Sequence, residues 1–259
     1  MLLAKPLNDF AVFDSHLHII DKRFALMANE GFLPAEFTCA DYRAAMASYP
    51  LVGGAVVSGS FQGVDQDYLI AALQELGPGF VGITQLPADA PDKQIMALHQ
   101  AGVRAVRFNV RRGGSADIND LTRMAQRIFD LAGWHVELYV DSSMLADMYA
   151  SLIKLPAVSI DHMGLSKSGL PFLLRLVERG VRVKACGFGR VDFAVAPVLK
   201  DLYKANPHGL MFGSDLPSTR APRPYQVEDF NLVVEALGED AARKVLSENG
   251  QMFYKRLKK

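Results

Sequence analysis

VFDSHLHI, from Val12 to Ile19, is the first predicted strand of the chain, and it carries two imidazoles at the period of a β-strand. Alternate residues of a strand face the same way, so we expect His16 and His18 to point together into the space that this strand lines. Such a pair suits a metal ion, a polarised carbonyl group or a buried hydrogen-bond network. The run continues into Ile20 and Asp21 rather than a glycine-rich phosphate turn, which favours a closed barrel over a doubly wound nucleotide-binding sheet.

Apolar runs of this length recur along the chain and alternate with amphipathic helical patterns. The other predicted strands are Gly54 to Ser58, Phe80 to Leu86, Val103 to Val110, His135 to Asp141, Ala157 to His162, Val181 to Cys186 and Leu210 to Ser214. The helical patterns include Asp41 to Ala47, Asp67 to Leu76, Lys93 to Gln100, Leu121 to Leu131, Leu170 to Arg179 and Val191 to Lys204. Alternation of this kind means parallel strands with helical crossovers, and about eight strands is the number that a (β/α)8 TIM barrel requires.

No linker or repeat divides the chain, so the prediction is a single α/β TIM-barrel domain over residues 1–259. Glu239 to Lys259 is expected to form a pair of closing helices with a break at Gly250. Half of the 259 residues are hydrophobic, which is enough for one large core.

The overall composition argues against several classes of partner and location. Lys plus Arg equals Asp plus Glu at 28 each, so the net charge predicts no binding to nucleic acid. The two cysteines, Cys39 and Cys186, lie far apart in the sequence, which indicates a reducing compartment and no thiolate metal site. Met1 to Phe10 lack a signal-peptide core, and no apolar stretch approaches the roughly 18 residues of a membrane-spanning helix. We therefore predict a cytoplasmic protein that does not contact a membrane.

Polar groups collect at the carboxyl end of nearly every predicted strand, where TIM barrels carry their working groups. The first strand ends in His16 and His18, and the sixth ends in His162. The eighth strand ends in Asp215. The other groups at this end are Ser60, Arg107, Asn109, Arg111, Arg112, Tyr139, Asp141 and Arg190. The sequence therefore predicts that three histidines, one aspartate and several arginines meet at one mouth of the barrel.

Six motifs, taken in order and spacing, identify a family resemblance over almost the whole chain. They are DSHLH (Asp14 to His18), SFQGVD (Ser60 to Asp65), GVRAVRFN (Gly102 to Asn109), GWHVELY (Gly133 to Tyr139), IDHMG (Ile160 to Gly164) and FGSD with its proline (Phe212 to Asp215, and Pro217). This pattern resembles the amidohydrolase superfamily, and within it the lactonase branch of the 2-pyrone-4,6-dicarboxylate hydrolases and sugar-lactone lactonases.

The resemblance implies a hydrolase in which Asp215 acts as general base on water. In metal-dependent members, the two strand-one histidines, a strand-five histidine, the strand-six histidine and this aspartate hold one or two divalent cations. Tyr139 stands at the strand-five position here, which matches the metal-independent lactonases. We therefore expect no metal and no cofactor. The alternative is one zinc ion at His16, His18, His162 and Asp215, since three histidines and a carboxylate also form a plausible zinc set.

A metal-free site has a coherent chemistry for a small anionic lactone. His16, His18 and His162 would polarise the lactone carbonyl by N–H donation, and Asp215 would move the proton from water to the leaving oxygen. Guanidinium groups bind carboxylates with two parallel bonds, so Arg107, Arg112 and Arg190 are predicted to bind the substrate carboxylates, with Ser60 and Tyr139 adding neutral hydrogen bonds. The roles of Arg111, Arg220 and Arg223 stay open. For Arg107, an internal salt bridge to Asp14, Asp141 or Asp161 is the competing interpretation.

Two departures from the family pattern leave the substrate open. Phe32 stands where the resemblance predicts a tyrosine, and the loop after the eighth strand reads LPSTR, Leu216 to Arg220, rather than Trp-Pro-His. The predicted substrate is either a lactone like 2-pyrone-4,6-dicarboxylate or a sugar-acid lactone. Lactone isomerisation, decarboxylation and non-catalytic binding of an acidic metabolite are the alternatives. The oligomeric state is not predicted.

Overall fold

The structure, a computed structural model, describes residues 9–255, and these form a barrel of eight parallel strands surrounded by helices. The strands are β1 (Val12–Leu17), β2 (Leu51–Val57), β3 (Phe80–Thr84), β4 (Val103–Asn109), β5 (His135–Tyr139), β6 (Val158–Ile160), β7 (Arg182–Ala185) and β8 (Leu210–Phe212). Each pairs in parallel with the next along the chain. The predicted (β/α)8 TIM barrel is confirmed.

Eight helices follow the strands and cover the outside of the barrel. They are α1 (Cys39–Ala45), α2 (Asp67–Leu76), α3 (Asp92–Gln100), α4 (Leu121–Ala132), α5 (Leu145–Leu152), α6 (Leu170–Glu178), α7 (Val195–Ala205) and α8 (Val227–Leu237). In α4 the buried residues Leu121, Met124, Ala125, Ile128 and Ala132 stand at positions i, i+3, i+4, i+7 and i+11, so one apolar stripe faces the strands. No helix of residues 9–255 is both long enough and apolar enough to cross a membrane.

Backbone hydrogen bonds between β1 and the segment after β8 bring the two ends of the sheet together. The Asp215 N–H donates to His16 O at 2.8 Å, and the His18 N–H donates to Leu216 O at 2.8 Å. Gly213 permits this approach, because a Cβ at that position would lie 2.8 Å from His16 Cβ. The contact places the first histidine motif directly beside the aspartate that follows β8.

A β-bulge in β1 sets which side chains face the interior of the barrel. Asp14 pairs with Gly54 and Leu17 with Val56, so three steps along β1 match two steps along β2. Phe13 therefore packs inside the barrel, and His16 also points inward although it lies an odd number of residues further on. Asp14 instead accepts hydrogen bonds from Ser214 and from Tyr42 of α1.

The C-terminal segment closes the amino-terminal end of the barrel. It consists of α9 (Glu239–Arg243), a π-helical turn over Lys244–Glu248 and α10 (Asn249–Tyr254). The predicted break at Gly250 is wrong: Gly250 lies inside α10, where a Cβ would come within 2.7 Å of both the Phe13 ring and Ser15 Oγ. Tyr254 packs into the interior apolar cluster. Residues 256–259 of the predicted closing helices, and most of the Met1 to Phe10 segment, lie outside the described residues.

Candidate active site

A narrow cavity, with about 30 Å³ of space for the centres of water-sized molecules, opens at the carboxyl ends of the strands. Its lining includes seven of the predicted site residues, which are His18, Ser60, Arg107, Arg112, Tyr139, His162 and Arg190. The other two, His16 and Asp215, are buried beside it, within contact distance of His162 and Arg190 respectively. The structure thus brings the whole predicted set together, and the role of each residue stays a prediction.

Three buried atoms converge at one point of the site. His16 Nε2 lies 3.8 Å from Asp215 Oδ1, and His18 Nε2 lies 3.9 Å from the same oxygen. Within the described chain, neither His16 Nε2 nor Asp215 Oδ1 has a hydrogen-bond partner. Buried polar atoms are nearly always satisfied in folded proteins, so the three atoms mark a place for a ligand.

The tautomer of His18 follows from its backbone contact. Nδ1 lies 2.7 Å from the carbonyl oxygen of Val57, which can only accept, so Nδ1 carries the proton. Burial, together with His16 and Arg107, holds the pKa of His18 well below 6.5, so the ring is neutral. His18 Nε2 therefore presents a lone pair to the site and can accept a proton or a hydrogen bond. The predicted N–H donation from His18 to the lactone carbonyl is wrong, because the Val57 carbonyl holds the proton on Nδ1.

His16 has the opposite arrangement because a lysine lies behind it. Lys184 Nζ lies 3.2 Å from His16 Nδ1, closer than Asp161 Oδ1 at 3.4 Å, and an ammonium group can donate to this nitrogen but has no lone pair with which to accept. Burial lowers the pKa of His16, and Lys184 lowers it further although Asp161 opposes the shift. The neutral ring therefore carries its proton on Nε2, which is directed at the site as a donor.

The third histidine lies between two side chains of the cavity wall. His162 Nδ1 is 3.1 Å from Cys186 Sγ, and the Tyr139 ring packs edge-on against the imidazole at 5.0 Å between centroids. Burial raises the pKa of Cys186 well above its ordinary value, so it remains a thiol, and burial with His16 lowers the pKa of His162. His162 has a left-handed backbone conformation (φ 50°), which is rare for residues with a side chain and is often found at functional sites.

A chain of buried charges runs from the closed end of the barrel to the site. Glu137 accepts hydrogen bonds from Tyr254 Oη at 2.7 Å and from Lys184, and its Oε1 lies 3.0 Å from His135 Nε2. Lys184 in turn lies 3.4 Å from Asp161 Oδ1. Burial favours a high pKa for Glu137, but Lys184 and His135 lower it to about 2.

Arg107 forms an internal salt bridge, as the competing interpretation held, and its partner is Asp161. Nε and Nη2 donate to Asp161 Oδ2 at 3.0 and 2.9 Å, and Nη1 donates to Ser58 O at 3.0 Å. Burial alone would raise the pKa of Asp161, but Lys184, His16 and Arg107 hold it well below its usual range. Arg107 also lines the cavity, with three of its five N–H groups used in these bonds.

Arg190 orients the aspartate of the site. Its Nε donates to Asp215 Oδ2 at 2.6 Å, and its Nη2 donates to Thr219 O at 2.8 Å. This fixes one carboxylate oxygen of Asp215 and leaves Oδ1 directed toward the two histidines. The first partner of Arg190 is therefore Asp215, whereas the sequence predicted a substrate carboxylate.

The structure separates the arginines that the sequence left open. Arg220 lines the cavity together with Arg112, while Arg111 is not among the residues that line it. Arg223 pairs with Asp229 at 2.7 Å. The two departures from the family pattern also meet, because the Arg220 guanidinium lies 4.4 Å from the centre of the Phe32 ring.

Sequence reasoning missed Lys184 and Glu137 as parts of the site. Both are charged residues within otherwise apolar strands, β7 and β5, and an unpaired charge there is costly. The same argument singled out Arg107 in β4. With knowledge of which face of each strand Lys184 and Glu137 occupy, the same argument would have predicted that the two residues pair.

Two groups of side chains have the spacing of a metal site. The ligand atoms of His16, His18 and Asp215 lie within 4.8 Å of one another, and so do those of His16, Asp161 and His162. In the first group His16 could bind a cation through Nε2 only if that nitrogen lost its proton. Arg190 and Arg107 already bind the two aspartates, which makes a divalent cation electrostatically less favourable there.

Comparison with known proteins gives one family and several relatives. The model of the amidohydrolase family matches residues 13–256. A 2-pyrone-4,6-dicarboxylate hydrolase of Comamonas testosteroni is 28% identical over 156 residues, which are 58% of this chain and 51% of that protein. The match therefore spans about half the length of this curated relative.

Solved structures with the same fold include two proteins assigned as 2-pyrone-4,6-dicarboxylic acid hydrolases. The one from Acinetobacter baumannii, with citric acid bound, has a TM-score of 0.81 at 20% identity, and the match covers 94% of this chain and 98% of that one. The one from Pseudomonas putida has a TM-score of 0.76 at 26% identity, with 94% and 97% covered.

Proposed function

The chain belongs to the amidohydrolase family, and we propose that it is a hydrolase that opens the ring of a small anionic lactone with water activated by Asp215. The observation that carries this proposal is the convergence of Asp215 Oδ1 with His16 Nε2 and His18 Nε2, beside a cavity lined by arginines. The relatives assigned to 2-pyrone-4,6-dicarboxylate make a carboxylated pyrone the leading substrate, with a sugar-acid lactone second.

In this mechanism Asp215 and His18 bind the attacking water. The water donates one hydrogen bond to Asp215 Oδ1 and the other to the lone pair of His18 Nε2. Asp215 removes a proton as the oxygen attacks the carbonyl carbon, because Arg190 holds Oδ2 and leaves Oδ1 as the base. The ester bond then breaks, and the proton passes from Asp215 to the leaving oxygen.

His16 stabilises the oxyanion that forms on the carbonyl oxygen. Its Nε2–H is directed at the site, and the ammonium of Lys184 behind Nδ1 polarises the ring. His162 supplies a second imidazole on the same side, 4.7 Å from His16 between centroids. A preorganised donor of this kind contributes about 10²- to 10³-fold in rate.

We further propose that the reaction needs no metal. The buried network of the barrel contains three carboxylates, Glu137, Asp161 and Asp215, and three cations, Lys184, Arg107 and Arg190, so its charges balance without an added ion. A divalent cation would add two positive charges beside Arg190 and would need the proton of His16 Nε2 to leave. The alternative of one zinc ion is supported by the convergence of His16, His18 and Asp215, and by a second such group of His16, Asp161 and His162.

Ring opening of a lactone panel tests the reaction. The panel contains 2-pyrone-4,6-dicarboxylate, its monocarboxylate and methyl ester analogues, and sugar-acid lactones. We expect turnover of the carboxylated rings and little with the neutral esters. Isomerised or decarboxylated products would overturn hydrolysis, and binding without turnover of any lactone would favour a non-catalytic binder of an acidic metabolite.

Metal content decides between the two forms of the mechanism. Protein purified without chelator is analysed for bound metals and assayed before and after dialysis against a chelator. We expect undiminished turnover at substoichiometric metal. Stoichiometric zinc whose removal abolishes turnover would overturn the metal-free mechanism. The cytoplasmic location stays a prediction from the sequence.

A further inference from the structure

A short hairpin of the segment between β1 and α1 lies at the mouth of the cavity. Asn29 and Phe32 exchange both backbone hydrogen bonds at 3.0 Å, so Glu30 and Gly31 form a two-residue turn. Both turn residues have positive φ, 51° for Glu30 and 74° for Gly31. Turns of this type usually place asparagine, aspartate or glycine first, so a glutamate with this backbone conformation needs a reason in its contacts.

Glu30 places its carboxylate between two arginines of the cavity. Its Oε2 lies 3.2 Å from Arg220 Nη1 and 3.5 Å from Arg112 Nη1. Both arginines line the cavity, and they come from opposite sides of its mouth, in the loops after β8 and β4. A carboxylate of the protein thus occupies the place where two guanidinium groups could bind a carboxylate of a ligand.

The hairpin does not depend on these contacts for its position. Asn29 Oδ1 accepts from Ser60 Oγ and from Arg220 Nη1, both at 3.0 Å. Asn29 Nδ2 donates to Arg112 O at 3.2 Å, and Asn29 O accepts from Arg220 Nη2. The Phe32 ring packs under Arg220. Asn29 and Phe32 already anchor the turn. We therefore look to the negative charge of Glu30 for its role.

We propose that Glu30 is an internal competitor for the outer carboxylate of the substrate, which displaces it from Arg112 and Arg220 on binding. The proposal rests on the proposed function in taking the ligand to be an anionic lactone. With Glu30 in place, two arginines and one carboxylate leave a single positive charge at the mouth. A substrate ring with a second, outer carboxylate can bind both arginines only after Glu30 has moved away.

The exposure of the three side chains fits such an exchange. Glu30 is 62% exposed, whereas Arg112 is 31% and Arg220 is 14% exposed. One glutamate oxygen at these distances forms a weak, solvent-screened pair with each arginine, which costs little to break. A bound substrate carboxylate could make shorter two-pronged contacts with the same groups, in a cavity from which it excludes water.

Binding of small diacids to E30Q tests the proposal without relying on catalysis. The probe is glutarate, and glutaramide is its uncharged counterpart, with dissociation constants measured by calorimetry. The matched control is E36Q, which removes the same charge from the same segment, where Glu36 accepts a hydrogen bond from the Lys22 backbone. We expect glutarate to bind E30Q about three- to tenfold more tightly than the wild type, and E36Q to bind it unchanged.

Two further measurements separate charge competition from loosening of the hairpin. Glutaramide should bind wild type and E30Q equally, and the gain for glutarate should vanish in the double variant E30Q/R112Q. Unchanged or weaker glutarate binding to E30Q, or an equal gain for glutaramide, would overturn the proposal. Neither probe has a lactone ring, so a panel without ring opening would sink the proposed reaction while leaving the Glu30 result intact.

Discussion

His16 Nε2 and Asp215 Oδ1 lie 3.8 Å apart at the carboxyl end of the barrel, and neither has a hydrogen-bond partner in residues 9–255. The separation is too long for a direct hydrogen bond. An oxygen beside them can nevertheless contact both at ordinary hydrogen-bond lengths of about 2.8 Å. His16 donates and Asp215 accepts, so the pair suits a reaction in which a water molecule loses a proton to Asp215 while a carbonyl oxygen beside His16 gains negative charge.

Asp215→Asn is expected to abolish turnover while leaving binding of anions in place. The amide keeps the shape of the side chain but cannot take the proton from water, so kcat should fall by about 10²- to 10⁴-fold. The measurement is steady-state kinetics on the best lactone of the panel, together with calorimetric binding of glutarate.

Asp141→Asn is the matched control for Asp215→Asn, because Asp141 caps a turn with Ser143 and Ser166 and does not line the cavity. It should retain the kcat of the wild type. Turnover by Asp215→Asn comparable with that of the wild type would remove this carboxylate from the role of base.

The two histidines of β1 are expected to have opposite tautomers at neutral pH. The carbonyl of Val57 requires the proton of His18 on Nδ1, and the ammonium of Lys184 requires that of His16 on Nε2. Nitrogen-15 chemical shifts of the imidazole rings distinguish protonated from unprotonated nitrogens. Assignment through His16→Gln and His18→Gln should show one ring of each kind, and two rings of the same kind would contradict the division of roles between donor and acceptor.

Lys184 is expected to act as a positioning residue for His16. Lys184→Met leaves the Glu137 carboxylate buried without its cation, which should destabilise the fold by about 3–5 kcal/mol in urea unfolding. The double variant Lys184→Met/Glu137→Gln removes both charges and should recover a large part of that stability.

Catalysis separates the positioning role of Lys184 from a purely structural one. In the double variant kcat should stay low, because His16 Nδ1 has lost the donor that fixes its tautomer, and the nitrogen-15 spectrum should show a mixture of tautomers. If kcat returned together with stability, Lys184 would have only a structural role.

The barrel and the meeting of its histidines could be predicted because both depend on local patterns. Short apolar runs between amphipathic helices define the strands, and in parallel barrels the carboxyl ends of all strands meet at one mouth. His16, His18, His162 and Asp215 stand at such ends, so their convergence required no knowledge of packing.

Features that depend on strand phase or on distant partners could not be predicted. The β1 bulge makes both Phe13 and His16 face inward, and no pattern in the sequence marks it. Lys184 also faces the interior, and the sequence did not show which face of its strand this residue occupies. Arg107 pairs with Asp161, 54 residues away, and the sequence offered two other aspartates as partners.

Acid is expected to destabilise the fold from about pH 6.5 downward, because four histidines are buried in uncharged form. Burial lowers the pKa of His16, His18, His135 and His162 below the ordinary 6.5. Above pH 6.5 these rings are neutral in both folded and unfolded chains, and their stabilising contribution is complete. As the pH falls below 6.5, the unfolded chain binds protons that the folded chain does not bind. The free energy of unfolding then decreases by about 1.4 kcal/mol per pH unit for each ring.

One buried carboxyl group acts in the opposite direction and limits the slope. Burial raises the pKa of Asp14 to about 6, although its hydrogen bonds with Ser214 oppose the shift. Between pH 6 and its ordinary value of 3.8, the folded chain holds a proton that the unfolded chain has lost, so this group adds stability as the pH falls. The stability that Asp14 adds offsets the loss caused by about one of the four histidines, so the protein still loses stability as the pH falls.

Urea unfolding at a series of pH values between 8 and 5 checks this expectation. The unfolding midpoint should be level above about pH 7 and should fall steadily below pH 6.5. His135→Gln removes one titrating ring at the closed end of the barrel and should make the fall in stability with pH shallower by the contribution of one proton. A midpoint that rises as the pH drops from 7 to 5.5 would show that the buried imidazoles are protonated in the folded protein, and the lone pair of His18 on which the proposed water site depends would be absent.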